Sequence, residues 1–238
     1  MRRQVRQAER AGDAAGNGWP RPGAVCVDLS APLDAGTPVY PGDPPFALTW
    51  HARLAQTGAN LGRLDLGLHT GTHVDAPLHV LDGGASVDAL GLEALSGPAV
   101  AFDVPKGPGQ DILAADVPDT AIQPGDIVLF RTGWEERAST PRFFEGQWPG
   151  LRVDAVDKLR AAGAKAIGGD FPSVDSPEGI SAGFLAHRRA LDAGIPVIEA
   201  LVHLDRVVGR RFYFVGLPLR VLGGDASPIR AMAVLSPD

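Results

Sequence analysis

The stretch Leu68-His69-Thr70-Gly71-Thr72-His73-Val74-Asp75-Ala76-Pro77-Leu78-His79 holds three of the chain's six histidines, with a carboxylate among them. His69, His73, Asp75 and His79 follow one another at spacings of 4, 2 and 4. All share one parity, so an extended backbone would project them to the same side. A straight strand cannot gather them, however. Four residues of strand span roughly 13 Å, whereas two imidazoles on one metal lie within roughly 4 Å of each other. A helix would pair His69 with His73 at i, i+4, but Gly71, the β-branched Thr72 and Val74, and Pro77 oppose one. The stretch therefore predicts a strand over residues 63–68 that runs into a tight irregular turn at Gly71-Thr72, curling the side chains around one point.

Imidazole and carboxylate together suit zinc, manganese or ferrous iron. The competing reading is a buried His/Asp hydrogen-bond cluster, which is costly unless every polar group finds a strong partner.

The pattern His-x-Gly-Thr-His-x-Asp-x-Pro-x-His resembles the signature of the metal-dependent cyclase family, which includes the bacterial kynurenine formamidases, and every fixed position is present. The resemblance extends from about residue 27 to about residue 235. It implies an α/β fold, a swivelling β/β/α domain with a barrel-like mixed sheet and a few flanking helices. It implies that His69 and His73 ligate a first metal, that Asp75 and Glu199 bridge to a second, and that His187 ligates the second. His79 is similar to the family's proton-transfer residue. The implied cofactor is a pair of divalent ions, zinc foremost, with manganese or iron also acceptable. The implied reaction is attack of a metal-bound hydroxide on the formyl amide of N-formyl-L-kynurenine, giving kynurenine and formate in tryptophan catabolism. Two other readings use the same residues. One is an isatin-hydrolase-like opening of a cyclic amide or lactone, or a tailoring cyclase step in a biosynthetic pathway. The other is a metal-holding scaffold without turnover, against which His79 stands.

Composition bounds these readings. The 238 residues are 45% hydrophobic and 21% charged, in the range of a soluble globular protein with ample chain for a core. A net charge of −6, with no basic run in the body of the chain, argues against nucleic acid as a partner. No apolar run is long enough to span a bilayer, so no membrane partner is expected. The single cysteine, Cys26, cannot form an intrachain disulfide and fits a cytoplasmic protein; in an apolar strand it predicts core packing. Residues 1–23, with Arg2, Arg3, Arg6 and Arg10, predict a flexible basic arm. The charges are not followed by the apolar core of an export signal. Residues 24–238 then form the catalytic domain, and the resemblance implies a homodimer or higher homo-oligomer acting on a small aryl amide.

Along the chain, residues 25–29 predict the first strand. The rigid turn Pro38-Val39-Tyr40-Pro41-Gly42-Asp43-Pro44-Pro45 would hold Tyr40 in a defined pose. The family carries a similar Pro-Gly-Asp turn after an aromatic, typically Trp in the formamidases, and Tyr40 stands in that place. Residues 46–51 and 61–68 alternate as strands, and His51 reads as a surface residue. Residues 87–95 predict a short helix, and residues 99–104 and 127–131 predict strands. The aromatic loop over residues 133–151 reads as a lid or pocket wall, with Trp134 and Trp148 beside Tyr40 as candidates to hold an aromatic ring.

Residues 153–162 predict an amphipathic helix closed by Gly163, and residues 164–168 a strand leading to Asp170, which the resemblance implies shapes the site without ligating. Ser181 predicts the cap of a helix to about residue 193, with Phe184, His187 and Leu191 on one face. Glu199 is the one charge in the short apolar strand Pro196-Val197-Ile198-Glu199-Ala200-Leu201. Read alone it predicts a salt bridge; its 12-residue spacing from His187 matches the family's, and the resemblance implies a ligand. His203 reads as neutral packing, Arg230 as a partner for some carboxylate, and residues 212–217 and 229–235 as closing strands. No P-loop or dinucleotide fingerprint is present; Gly179-Ile180-Ser181-Ala182-Gly183 has the letters of a nucleophile elbow, but Ser181 is read as a helix cap rather than as a serine on a strand-to-helix turn.

Overall fold

The computed structural model describes residues 22–118 and 120–237. The basic arm expected over residues 1–23 lies outside them, except for residues 22 and 23 in a turn. The strands are β1 (Val25–Asp28), β2 (Ala47–Ala52), β3 (Leu61–Asp65), β4 (His73–Asp75), β5 (Ser96–Asp103), β6 (Ile127–Arg131), β7 (Ala166–Gly169), β8 (Val197–Glu199), β9 (Arg211–Val215), β10 (Ala226–Pro228) and β11 (Met232–Leu235). The helices are α1 (Leu54–Thr57), α2 (Val153–Ala161), α3 (Pro177–Ser181) and α4 (Leu185–Asp192).

Nine strands form one mixed sheet in the order β1-β11-β9-β5-β6-β7-β8-β4-β10, and β2 and β3 form a separate hairpin. The central strands β5, β6, β7 and β8 run parallel. Helices α2 and α4 lie in the β6–β7 and β7–β8 crossovers that parallel neighbours require, and they pack against each other. A parallel centre is covered on both faces, so its strands read as continuous apolar runs rather than alternating ones. In β6, Ile127 and Leu129 enter one core while Val128 and Phe130 enter the other, beneath α2 and α4. Burying a side chain the size of the fully enclosed Phe130 stabilises by about 1.5–3 kcal/mol.

The sheet is curled. Val27 from β1 at one edge and Val74 from β4 near the other belong to the same core. Ser30, just past β1, bridges to Leu201, just past β8. The result is the mixed α/β arrangement with a barrel-like sheet that the family resemblance implies.

Several local expectations change. Residues 87–95 form two 3-10 turns, Val87–Ala89 and Leu92–Leu95, interrupted at extended Leu90 and Gly91. The helix expected from Ser181 begins only at Leu185, as α4, because Ser181 closes the preceding short helix α3. The break falls at Gly183 and Phe184, both with positive φ, and the Ser181 hydroxyl bonds back to the Pro177 carbonyl instead of capping. Cys26 is exposed rather than packed in the core, because Val27 takes the inward position on β1. Exposed Arg230 pairs in a two-pronged contact with Asp28, at 2.9 and 2.6 Å. His203, expected to pack, is exposed with Nδ1 2.9 Å from the Asp28 carbonyl, whereas His51 is exposed as expected.

Candidate metal centre

Gly71 adopts φ +66°, a left-handed conformation that suits glycine. The turn it makes delivers the chain into β4. His73 and Asp75 leave one face of that strand, and Val74 leaves the other for the core. Both edges of β4 are paired. Antiparallel β8 sets Glu199 opposite His73, and β10 sets Ala226 opposite Asp75. His79 returns on the 3-10 turn Pro77–His79, which begins with proline, where the missing N–H costs nothing. His187 comes from α4, which packs against β8 and that turn.

Asp75 is the hub. Its Oδ1 lies 2.8 Å from His69 Nδ1 and 3.3 Å from His73 Nε2, and its Oδ2 lies 3.2 Å from His187 Nε2. Glu199 faces the same group, with Oε2 3.4 Å from His73 Nε2 and Oε1 3.2 Å from His187 Nε2. Each of these three imidazoles anchors its other nitrogen outside the cluster. His69 Nε2 lies 3.0 Å from Asp225 Oδ2, His73 Nδ1 lies 2.8 Å from the Gly71 carbonyl, and His187 Nδ1 lies 2.8 Å from Asp175 Oδ2. Metal-ligating histidines are oriented in this way, one nitrogen inward and the other held by an acceptor. Asp175 is itself fixed, accepting from the Ala186 and His187 backbone N–H groups at the start of α4.

A test of whether a cation fits comes from the buried atoms left over. His73 Nε2 and Asp75 Oδ1 are buried 3.3 Å apart and neither makes a well-aligned hydrogen bond, although Oδ1 also has a charge contact with His69 Nδ1 at 2.8 Å. Unsatisfied buried polar atoms are costly, and both belong to donor types that bind zinc, manganese or iron. Donor atoms of His69, His73 and Asp75 fall within 4.8 Å of one another, as do those of Asp75, His79 and His187. The residues therefore fit a divalent ion.

Electrostatics point the same way. Burial pulls the His69 pKa down, but Asp225 and Asp75 outweigh it and raise it to about 9. Burial likewise opposes His73, yet Asp75 and Glu199 raise it to about 10. Burial is again overcome at His187, held well above its usual value by Asp175, Asp75 and Glu199. Asp75, despite burial, is held well below the usual carboxylate range by His73, His187 and His69. Protons on the imidazoles thus balance the carboxylates in the ion-free protein, and a bound cation would displace them. His79 behaves differently. Burial lowers its pKa, and its only carboxylate contact among the described residues is Asp225 Oδ2 at 3.5 Å.

A cavity of about 360 Å³ opens onto the cluster. His69, His73, His79, His187 and Glu199 all border it, as does Tyr40. Of the aromatic loop, Phe144 lines it, and Trp134 and Trp148 do not. Both indoles are buried and donate their N–H to carbonyls, Trp134 to Phe143 and Trp148 to Asp175, each at 2.9 Å. Trp148 packs edge-on against Phe144, so the indoles back the wall rather than form it. Asp170 is buried and ties down the start of this loop through the Thr132 and Gly133 N–H groups. A larger groove of about 800 Å³ passes Asp175, Ser176 and Arg152. No histidine lines it, so the smaller cavity is where chemistry is available.

Sequence reasoning missed Asp175, Asp225 and Phe144 as members of this site. Asp225 follows the Gly223-Gly224 pair and precedes β10, and Asp175 sits two residues before the proline that opens α3. An acidic residue at such a junction beside a metal-type cluster is the signal that was available.

The comparisons agree with this geometry. Residues 27–176 match the Cyclase family model. A kynurenine formamidase of Salinibacter ruber is 36% identical over 218 residues, spanning 89% of this chain and 98% of the relative. A kynurenine formamidase of Bacillus mycoides is 32% identical over 208 residues, spanning 87% and 95%. Among solved structures, one described as a potential metal-dependent hydrolase with cyclase activity superposes with a TM-score of 0.75 at 29% identity, over 90% of this chain and 100% of that one. An isatin hydrolase bound to the product analogue thioisatinate shares the fold, with a TM-score of 0.80 at 24% identity, over 90% of this chain and 93% of that one. With its signature intact and its full-length relatives in agreement, this chain belongs to the cyclase family.

Proposed function

We propose that this chain is a metal-dependent amide hydrolase of the arylformamidase type, cleaving N-formyl-L-kynurenine to kynurenine and formate. The observation that carries the reading is the buried pair His73 Nε2 and Asp75 Oδ1, neither well hydrogen-bonded, beside an aromatic-walled cavity that His73 borders. The relatives that span nearly their whole length on this chain bear the kynurenine formamidase name.

In this reading His69 and His73 would hold one divalent ion and His187 a second, with Asp75 and Glu199, which face both groups of imidazoles, shared between them; zinc is preferred and manganese or iron acceptable. When bound, such ions acidify a water and polarise a carbonyl. His79 carries the proton. With Nδ1 turned to Asp225, Nε2 is the nitrogen free to accept a proton from water and hand it to the leaving aryl amine. Its lowered pKa keeps it neutral and able to accept. Tyr40 and Phe144, in edge-on contact at 5.9 Å, offer an aromatic wall to the aryl ring. Asp43 also borders the cavity and complements an ammonium, such as the one N-formylkynurenine carries. Among the described residues no Arg or Lys lines it, so the amino-acid carboxylate faces solvent. Residues 24–238 form the catalytic domain of a cytoplasmic homo-oligomer in this account. Among the described residues no helix is long and apolar enough to cross a membrane.

The second reading is isatin-hydrolase-like opening of a cyclic aryl amide, which the same aromatic wall accommodates and which needs no ammonium partner. Substrate screening of the metal-loaded protein decides between them. Turnover of N-formylkynurenine is expected; turnover of isatin or a lactone without it would replace the first reading by the second.

A further inference from the structure

Phe184 sits at the N-terminus of α4 with φ 61° and ψ 56°. An L-residue pays for this left-handed conformation, which glycine or asparagine adopts more readily. The backbone has reason to turn here. The Phe184 N–H bonds to the Gly179 carbonyl at 3.0 Å, and its own carbonyl accepts from Arg188 N–H at 2.9 Å, joining α3 to α4. Those bonds use only main-chain atoms, so the joint itself would be served better by glycine, as at the preceding Gly183 with φ 102°. A strained position kept by a bulky side chain points to a use for that side chain.

The ring is where such a use would lie. It is half-buried and lines the cavity with Tyr40 and Phe144. It meets His79 edge-on at 5.9 Å between centroids and His187 edge-on at 5.8 Å. His187 needs no help from it, being held by Asp175 and Asp75. Among the described residues, the one carboxylate in contact with His79 is Asp225, at 3.5 Å. Phe184 therefore brings an aromatic surface directly beside the proton-carrying imidazole. Tyr40 and Phe144 come from other parts of the chain and meet each other edge-on.

We propose that Phe184 is a specificity-determining residue that binds the planar aromatic ring of the substrate beside His79, and that the chain keeps its left-handed backbone there for this purpose. The proposal rests on the reading of the site as an aryl-amide hydrolase. Aromatic contacts of this kind are worth about tenfold in affinity.

The test compares Phe184→Gly, Phe184→Leu and Phe184→Tyr in the metal-loaded enzyme, with melting temperature, metal content and steady-state kinetics on N-formylkynurenine. The Gly variant relieves the backbone, so its melting temperature should hold or rise with metal content unchanged. KM should rise about tenfold, with a smaller change in kcat. The Leu variant, apolar but without a ring, should show the same rise in KM, and the Tyr variant should return KM to near the wild-type value. A Leu variant with wild-type KM, or a Gly variant that melts lower and keeps its KM, would show that Phe184 only packs the joint. If the wild type opens isatin but leaves N-formylkynurenine intact, the proposed formamidase fails. The same KM comparison on isatin then decides the role of Phe184. A wild type active on neither aromatic substrate overturns both.

Discussion

The β2–β3 hairpin and the strand β4 are neighbours in sequence and opposites in circumstance. Among the described residues the hairpin pairs only with itself. Its register sets Leu48 opposite Leu64 and Trp50 opposite Gly62 on one face, and Leu48, Trp50 and Leu64 are all exposed. Strand β4 is shorter, yet every residue of it is buried and both edges are paired. Alternation in sequence is clear in the hairpin and nearly absent in β4. A strand's fixity thus comes from its neighbours, since a two-stranded ribbon alone is marginal. Chemistry that needs donor atoms held in place uses β4, where Asp75 meets three imidazoles.

The contrast can be broken most severely at Asp75. Asp75→Asn should reduce metal content to background and abolish hydrolysis, because one side chain faces His69, His73 and His187. Metal retained at the wild-type level in that variant would refute the hub. His79→Ala should keep the metal and lose about 10²–10⁴-fold in kcat, the usual worth of a positioned acid–base group. Unchanged turnover would remove the role given to His79. Asp175→Asn keeps size but weakens the acceptor behind His187, and metal affinity measured by competition with a chelator should fall about 10–100-fold.

Packing gives smaller effects. Val74→Ala, on the core side of β4, should cost about 2 kcal/mol in denaturant unfolding. Leu64→Ala on the hairpin should stay within about 0.5 kcal/mol. Equal costs at the two sites would mean that the hairpin is covered in solution.

The pH dependence of the metal-free protein sharpens the same contrast. His69 and His73 are raised in the folded state to about 9 and about 10. Their protonation therefore stabilises fully below about pH 6.5, the ordinary histidine value, and the contribution is lost as pH rises through the folded values. Melting temperature of chelator-treated protein should fall between pH 7 and pH 10 by way of this cluster. Metal-loaded protein should show little of that fall, because ligating imidazoles are already deprotonated. A flat profile for the stripped protein would contradict the charge balance described for the site.

How much of this was legible depends on where each contact lies along the chain. His69, His73, Asp75 and His79 announce themselves by spacing within one short run, and the turn at Gly71 follows from the impossibility of gathering them on a straight strand. His187 and Glu199 are separated from that run by over a hundred residues. Their residue types alone allowed a packed helix face and a salt bridge, and only the family resemblance singled them out. Asp225 reaches His69 across 156 positions, and no local pattern encodes such a contact. The aromatic loop was visible as a loop, but hydropathy does not say which ring turns inward; Trp134 and Trp148 found carbonyl partners in the interior, and Phe144 was left to face the cavity. Sheet order was equally unreadable, since it is fixed by which apolar faces meet when the sheet curls.

The most direct test of the central claim is the divalent metal content of the purified, metal-replete protein, measured beside the His187→Ala and Asp75→Asn variants. The account predicts about two ions per chain in the wild type, fewer in the first variant and background in the second. A wild type with no bound metal, or variants that bind as much as it does, would contradict it.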